Sequence, residues 1–287
     1  MIITLGNTRK KIGIGFCMNE LIKKFGAFSV GPFVGAILGI LTVPAITYFI
    51  SPAEYGKSSM FVLAQSALAM VMYLGMDQAY VREFNSYRDN KSILMSNALI
   101  VPLFLVAVID ILILFNNAYI SQILFDNRNE LMPVISLTIM LPFMIFENFA
   151  LLNIRMQEKG LQYSFFTILL KTLTLVFTLL LLFTYERTFR SVIYAIAIAE
   201  TVNGIVLSIL TLKNVRISCK CLDKELITRM LKFGLPLVPA SILGWVLTST
   251  DKVMLRTMCS YSELGLYSAA FKLANALGII QTCFTLF

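Results

Sequence analysis

The sequence contains no histidine, a single tryptophan and few charges: Asp, Glu, Lys and Arg make up 14% of its 287 residues, against roughly 25% in soluble domains. The missing histidine removes Ser-His-Asp and Cys-His catalysis and the common zinc sites together. Of five cysteines, Cys219 and Cys221 form a Cys-x-Cys, which is half of a four-ligand zinc set, in a stretch where thiols are expected to stay reduced. Gly13-Ile-Gly15 is a lone Gly-x-Gly with no strand before it and does not read as a phosphate loop. The first long apolar run begins only near Phe25, so a cleaved signal peptide is not expected. No catalytic residue, metal or cofactor is assigned on these grounds.

What the chain does contain is apolar sequence, 58% of its residues, with a mean hydropathy of +0.80. A spanning helix needs about 20 mostly apolar residues, and the sequence offers eight runs: Phe25–Ile50, Ser58–Met76, Ser92–Phe115, Leu131–Leu152, Tyr163–Tyr185, Val192–Leu212, Phe233–Thr250 and Leu264–Phe287. The runs are continuous rather than alternating, which predicts helices and not a barrel: an all-α, polytopic membrane protein. The net charge of +8 sits in short segments between the runs, not on one domain face, so no nucleic-acid partner is expected.

The runs repeat. Phe25-Gly26 opens the first and Phe233-Gly234 the seventh, 208 positions on; Ser51-Pro-Ala-Glu54-Tyr-Gly56 follows the first, and Glu263-Leu-Gly265 stands 209 positions beyond Glu54. The division is then residues 1–212 as a six-helix lobe, 213–232 as a basic linker, and 233–287 as the start of a second lobe. Six is even, so both halves begin on one side of the membrane, as parallel repeats do. With the N-terminus inside, the inner segments hold 16 Lys and Arg, among them Arg9, Lys10, Lys11, Arg82, Arg88, Lys91, Arg155, Lys159 and the linker cations. The outer loops hold six: Lys57, Arg128, Arg187, Arg190, Lys252 and Arg256. That bias places the N-terminus in the cytoplasm and the linker against anionic lipid. The outer loops are short, the longest being Asn116–Glu130. The chain ends in apolar sequence at Leu286-Phe287, an ending expected of a truncated chain.

Within the runs, Gly31, Gly35 and Gly39 recur every four residues and line one helix face for close approach. Pro44, and in the seventh run Pro236 and Pro239, are placed to bend their helices; packing and gating both fit these positions. Ionisable residues inside runs cost about 2.5–3.5 kcal/mol each at a helix centre. Asp110 lies near an outer end, Glu147 deeper, and Lys171 and Lys272 eight residues into their runs, roughly 12 Å at 1.5 Å per residue. Glu200, also eight residues in, has no long stem with which to reach water and is the best single interior polar candidate.

Two stretches carry a resemblance. Phe233-Gly-Leu-Pro236, Trp245, Ser249-Thr-Asp251-Lys252 and Gly265-Leu-Tyr267-Ser-Ala-Ala-Phe-Lys272 resemble the start of the second half of bacterial polysaccharide exporters. These are the O-antigen and capsule flippases of the multidrug/oligosaccharidyl-lipid/polysaccharide exporter superfamily. Pro44, Ser51-Pro-Ala-Glu-Tyr-Gly56 and Gly75-Met-Asp-Gln-Ala-Tyr-Val-Arg82 agree in the first half. The family typically has twelve or more helices, against eight runs here. The resemblance implies an undecaprenyl-pyrophosphate-linked oligosaccharide as substrate, turned from the inner to the outer leaflet of a bacterial inner membrane. It implies two lobes rocking about a cationic cavity, with membrane lipids and other polysaccharide assembly proteins as partners, and no enzymatic step. By that analogy Lys171, Lys272 and Arg82 bind substrate, and Glu200, Glu147 and Asp251 serve proton or sodium coupling. Two rivals stand beside it: a multidrug exporter of the same superfamily, whose cavity would be net acidic, and a membrane enzyme such as a polysaccharide polymerase or acyltransferase. The missing histidine and the short outer loops argue against the enzyme.

The charge count makes a direct prediction. An impermeant thiol reagent applied to intact cells should label Cys259 and leave Cys17, Cys219 and Cys221 unmodified; labelling of Cys219 from outside would reverse the orientation.

Overall fold

A computed structural model describes residues 4–214 and 222–278, with side chains for residues 23, 25–211, 222–275 and 278. Cys17, Cys219 and Cys221 lie outside those side chains, as do Lys213, Arg216 and Lys220. The chain runs through α1 (Thr4–Thr47), α2 (Pro52–Tyr73), α3 (Met76–Glu83), α4 (Lys91–Phe115), α5 (Asn117–Phe125) and α6 (Leu131–Met156). It continues through α7 (Gly160–Thr184), α8 (Phe189–Asn214), α9 (Lys224–Gly234), α10 (Val238–Met258) and α11 (Tyr261–Ala274). The described residues hold no strand, and the protein is all-α and polytopic.

Six helical stretches among the described residues are long and apolar enough to cross a membrane, and α2 with α3, bent by 51°, makes a seventh if taken as one span. Eight were expected. The shortfall is in the last run: α11 has 14 residues followed by a 3-10 turn at Asn275–Gly278, about 21 Å of helix against a hydrocarbon core of about 30 Å. Residues 279–287 lie outside the described part. Large apolar side chains such as Phe104, Phe115, Phe183 and Leu247 stand exposed, as helices facing lipid require.

Several boundaries differ from the sequence reading, each for a local reason. The first helix begins well before Phe25. The second run does not pass straight through Gly75: Leu74 and Gly75 adopt left-handed backbone and turn the chain into α3. Gly75 needs to be glycine on two counts, because a Cβ there would overlap the Gly234 carbonyl oxygen. The loop Asn116–Glu130 contains α5. The seventh run is a joint: α9, a 3-10 turn at Leu235–Leu237 holding Pro236, then α10 with Pro239 in its first turn, where a missing N–H costs nothing. Across the 3-10 turn the stretch Lys224–Met258 still makes one span, and the two prolines sit where α9 passes into α10. α10 also continues through Asp251 and Lys252 to Met258, where a polar break was expected.

The segments expected inside gather at one end. Arg88, Lys91 and Lys159 line one surface hollow, Arg229 Nη2 lies 3.1 Å from Glu83 Oε2, and the Asp223 N–H donates to Asn97 Oδ1 at 2.8 Å. Those expected outside gather at the other. Arg190 grips Glu130 with two bonds of 2.7 Å, holding the Glu130 carboxyl below the usual carboxylate range. The Tyr261 hydroxyl donates to Leu124 O at 2.9 Å, and the Phe189 N–H at the start of α8 donates to Glu54 Oε2 at 2.8 Å.

The main core lies where α2, α3, α4 and α6 cross, around Met72, Met76, Tyr80, Leu99, Leu137, Leu141 and Phe149; Leu226 and Met230 of α9 join it. The second half is attached through α2 and α11, which begin alike. Ser51 caps α2 by accepting from the Glu54 N–H, and Ser260 caps α11 by accepting from the Glu263 N–H, with Glu263 returning a bond to the Ser260 N–H. At the third matching position Gly56 meets Gly265. A Cβ on Gly265 would overlap the Pro52 carbonyl oxygen and lie 3.0 Å from Gly56 N; one on Gly56 would overlap the Tyr261 carbonyl oxygen and lie 3.2 Å from Gly265 N. Pro52 and Tyr261, like the two glycines, stand 209 positions apart. The contact is therefore isologous about a local two-fold, the relation of parallel repeats around an axis along the membrane normal.

This seam predicts an asymmetric response to one added methyl group. Gly265→Ala and Gly56→Ala should destabilise the detergent-solubilised protein by about 1–3 kcal/mol through overpacking. Gly244→Ala, whose Cβ meets nothing within 4 Å, should be neutral or stabilising by up to about 1 kcal/mol. Thermal unfolding of the three variants measures the contrast.

Candidate functional site

Two polar groupings occupy the apolar interior, and each follows from small residues that set helix approach. In α6 and α8, Gly204 lets the helices close until a Cβ there would stand 2.8 Å from Phe143. One turn on along α6 is Glu147, and one turn back along antiparallel α8 is Glu200, so the same approach brings the two carboxyls together. Glu147 is 6% exposed. Gln65 of α2 donates from Nε2 to Glu200 Oε1 at 3.3 Å. Glu147 Oε2 and both amide atoms of Asn203 are buried without a hydrogen-bond partner. Lys171 of α7 lies near enough for its charge to act on both carboxyls, and its stem passes 3.6 Å from a Cβ position at Gly35 of α1. Among the described residues no group of three or more His, Cys, Asp and Glu gathers as a metal site.

The second grouping is a cavity of about 280 Å³ between the first-half helices α1, α2, α7 and α8 and the second-half helices α10 and α11. Among the described residues its cations are Lys252 and Lys272, and no Asp or Glu lines it. Hydroxyls line the rest: Thr42, Ser58, Ser59, Ser66, Thr174, Thr178, Ser249 and Ser268, with Asn275. Most donate to their own helix, as Thr42 does to Leu38 O at 2.6 Å and Thr178 to Thr174 O at 2.6 Å, so towards the cavity they offer acceptor lone pairs. Ser268 Oγ is buried and unpartnered. Lys252 stands over the Phe271 ring at 4.6 Å, and neither it nor Lys272 has an ion-pair partner among the described residues. Asp251 does not face this cavity. It accepts the Tyr267 hydroxyl and so ties α10 to α11.

The sequence-predicted residues thus divide. Lys272 lines the cavity; Lys171, Glu147 and Glu200 form the neighbouring cluster. Arg82 is not with them, but lines a separate hollow at the end where the basic segments gather, stacked 4.4 Å from the Phe233 ring. Asp110 in α4 lines neither cavity. Of the three expected packing glycines, Gly31 makes the close contact: a Cβ would stand 2.8 Å from Ser164 Cα, whereas nothing approaches Gly39 within 4 Å. Ser164 is inserted into the backbone ladder of α1, accepting from the Gly31 N–H at 2.9 Å and donating to Ala27 O at 2.6 Å. The irregularity in α1 lies there, beside Pro32, while Pro44 sits in the last turn. Lys252, Gln65, Asn203 and Ser164 were missed. Lys252 was legible only to a reading that carried the seventh helix through Asp251.

The fold is that of a helical membrane protein with a polar cavity between α1, α2, α7 and α8 on one side and α10 and α11 on the other. The chain belongs to the polysaccharide biosynthesis protein family, whose model matches residues 21–285. No curated protein matches the sequence. Solved structures share the fold. A transporter of the MOP superfamily from Pyrococcus furiosus Vc1, described as having a binding pocket of reverse polarity, gives a TM-score of 0.62 at 17% identity over 92% of this chain and 68% of that one. An outward-facing multidrug resistance MATE family transporter gives 0.61 at 17% identity over 92% and 68%. MATE in complex with MaD5 gives 0.60 at 16% identity over 92% and 69%. The protein is a multi-pass membrane protein of the polysaccharide biosynthesis protein family, and its fold is the one these transporters of the MOP superfamily have.

The cavity's charge is open to measurement. In a background without native cysteine, Ser268→Cys or Thr178→Cys should react roughly tenfold faster with an anionic than with a cationic thiol reagent of equal size. Lys252→Gln with Lys272→Gln should abolish that preference.

Proposed function

We propose that the protein moves an undecaprenyl-pyrophosphate-linked oligosaccharide from the inner to the outer leaflet of a bacterial inner membrane by alternating access, its N-terminus in the cytoplasm. One observation carries the reading: a cavity between the halves that, among the described residues, has two lysines, no carboxylate and a wall of hydroxyls. A pyrophosphate entering lipid needs cationic partners, and sugar hydroxyls need the acceptors that the Ser and Thr side chains present. An organic cation would find the opposite charge. The membership in a polysaccharide biosynthesis family supports the same substrate class. No covalent bond forms or breaks in the cycle, so the protein is not an enzyme in this reading.

Glu147 and Glu200 take the coupling role. Two carboxyls held side by side in a low-dielectric interior suit one small cation, proton or sodium, better than two free charges. Unpartnered Asn203 and Glu147 Oε2 offer further ligands, and Lys171 links this pair electrostatically to Lys272 at the substrate cavity. Asp251, already engaged by Tyr267, orients α10 against α11. Arg82 stands outside the substrate cavity, and its role in this reading is taken by Lys252.

Replacement separates substrate binding from lipid anchoring. Lys252→Gln and Lys272→Gln should abolish export at normal membrane expression, and the Arg variants should keep part of it because a guanidinium still meets phosphate. Normal export by both Gln variants would remove the assignment. In the reconstituted protein, the lipid-linked sugar should compete with itself for binding and a cationic dye should not; the reverse outcome would establish the multidrug reading.

A further inference from the structure

We propose a second anion site, for the phosphate headgroup of an anionic membrane lipid, in the hollow where α3 meets α9 and the 3-10 joint. The hollow has a volume of about 760 Å³ and is walled by Arg82, Lys224, Arg229, Lys232, Phe233 and Leu237 among others. Its cations differ in commitment. Arg229 is spent on Glu83 at 3.1 Å and on the Tyr87 hydroxyl at 3.2 Å. Among the described residues Arg82, Lys224 and Lys232 have no ion-pair partner, and Glu225 is the one carboxylate lining the hollow. Arg82 lies over the Phe233 ring at 4.4 Å. That stacking fixes the guanidinium and leaves its N–H edge free, the arrangement that meets phosphate in two bonds.

The cations are held in place rather than presented on a flexible linker. α9 starts from the Asp223 cap, whose own N–H is fixed by Asn97. Its apolar face, Leu226 and Met230, is buried in the main core at 1% and 0% exposure. Gly234 at its end lies against Gly75 at the start of α3, with a Cβ position 2.8 Å from the Gly75 oxygen.

The walls choose lipid over a soluble phosphate. Phe233, Pro236 and Leu237 provide an apolar side, and Leu235, 48% exposed, stands beside them. The stretch Lys224–Met258 reads as one continuous apolar crossing, so the hollow opens where headgroups meet acyl chains. The basic segments gather at this same end, the one that attracts anionic lipid. A lipid seated here touches both the first-half helix α3 and the joint leading into α10, and so sets their relation.

The test uses the purified protein in nanodiscs or detergent with phosphatidylglycerol or phosphatidylcholine, read by thermal unfolding and by lipid retention in native mass spectrometry. Phosphatidylglycerol should raise Tm and be retained more than phosphatidylcholine. Lys224→Gln with Lys232→Gln should weaken the retained affinity roughly fivefold or more per cation removed, and Arg82→Gln should do the same independently. Inorganic phosphate at equal concentration should not reproduce the shift. Wild-type selectivity in both variants would overturn the proposal, and so would full reproduction by inorganic phosphate, which would assign the hollow to a soluble anion.

Discussion

Lipid tails are as apolar as leucine, so helices inside a bilayer adhere by close packing and not by expulsion of water. The approach of Gly56 and Gly265, backbone on backbone with no side chain between, is the contact on which the rest depends. It positions α11 against α2, and with α11 come Ser268, Lys272 and, through Tyr267 and Asp251, the helix α10 that carries Lys252. The lysine-lined cavity is the space this seam leaves between α1, α2, α7 and α8 and the pair α10 and α11. Because the contact is isologous, each side offers the other a capped helix start, and neither has to adapt its shape.

The same economy of small residues organises the carboxyl cluster of Glu147 and Glu200. Gly204 against Phe143 brings Glu147 and Glu200 face to face, and Gly31 against Ser164 brings α7 to α1 and with it Lys171 to the flank of Gly35. A charge inside a membrane is tolerated when the interior supplies partners. Here the acids sit near Gln65, Asn203 and Lys171, while Lys252 and Lys272 face a cavity walled by hydroxyls.

Much of the architecture was legible in the chain. Long apolar runs identify spanning helices, Ser-x-x-Glu before a run marks a capped start, and the partition of Lys and Arg sorts the connections that the structure gathers at two ends. Less was legible where backbone geometry intervened: the left-handed Leu74–Gly75 turn, the α9–α10 joint and the passage of α10 through Asp251–Lys252 all read differently in one dimension. Arg82 was grouped with Lys171 and Lys272 by the family resemblance, and the fold places it in a separate hollow from Lys272.

The sequence by itself determined that the protein crosses a membrane several times as helices, that its second half begins as its first does, and which residues are costly enough in lipid to matter. Hydropathy, capping and charge partition are exchanges between one segment and its solvent, so they can be read segment by segment. Only the tertiary structure decided that Glu147 meets Glu200, that Lys252 joins Lys272, and that Ser164 enters the ladder of α1. Those meetings depend on the rotation and crossing of helices far apart in the chain, and what fixes rotation is the depth to which one backbone can approach another at a glycine.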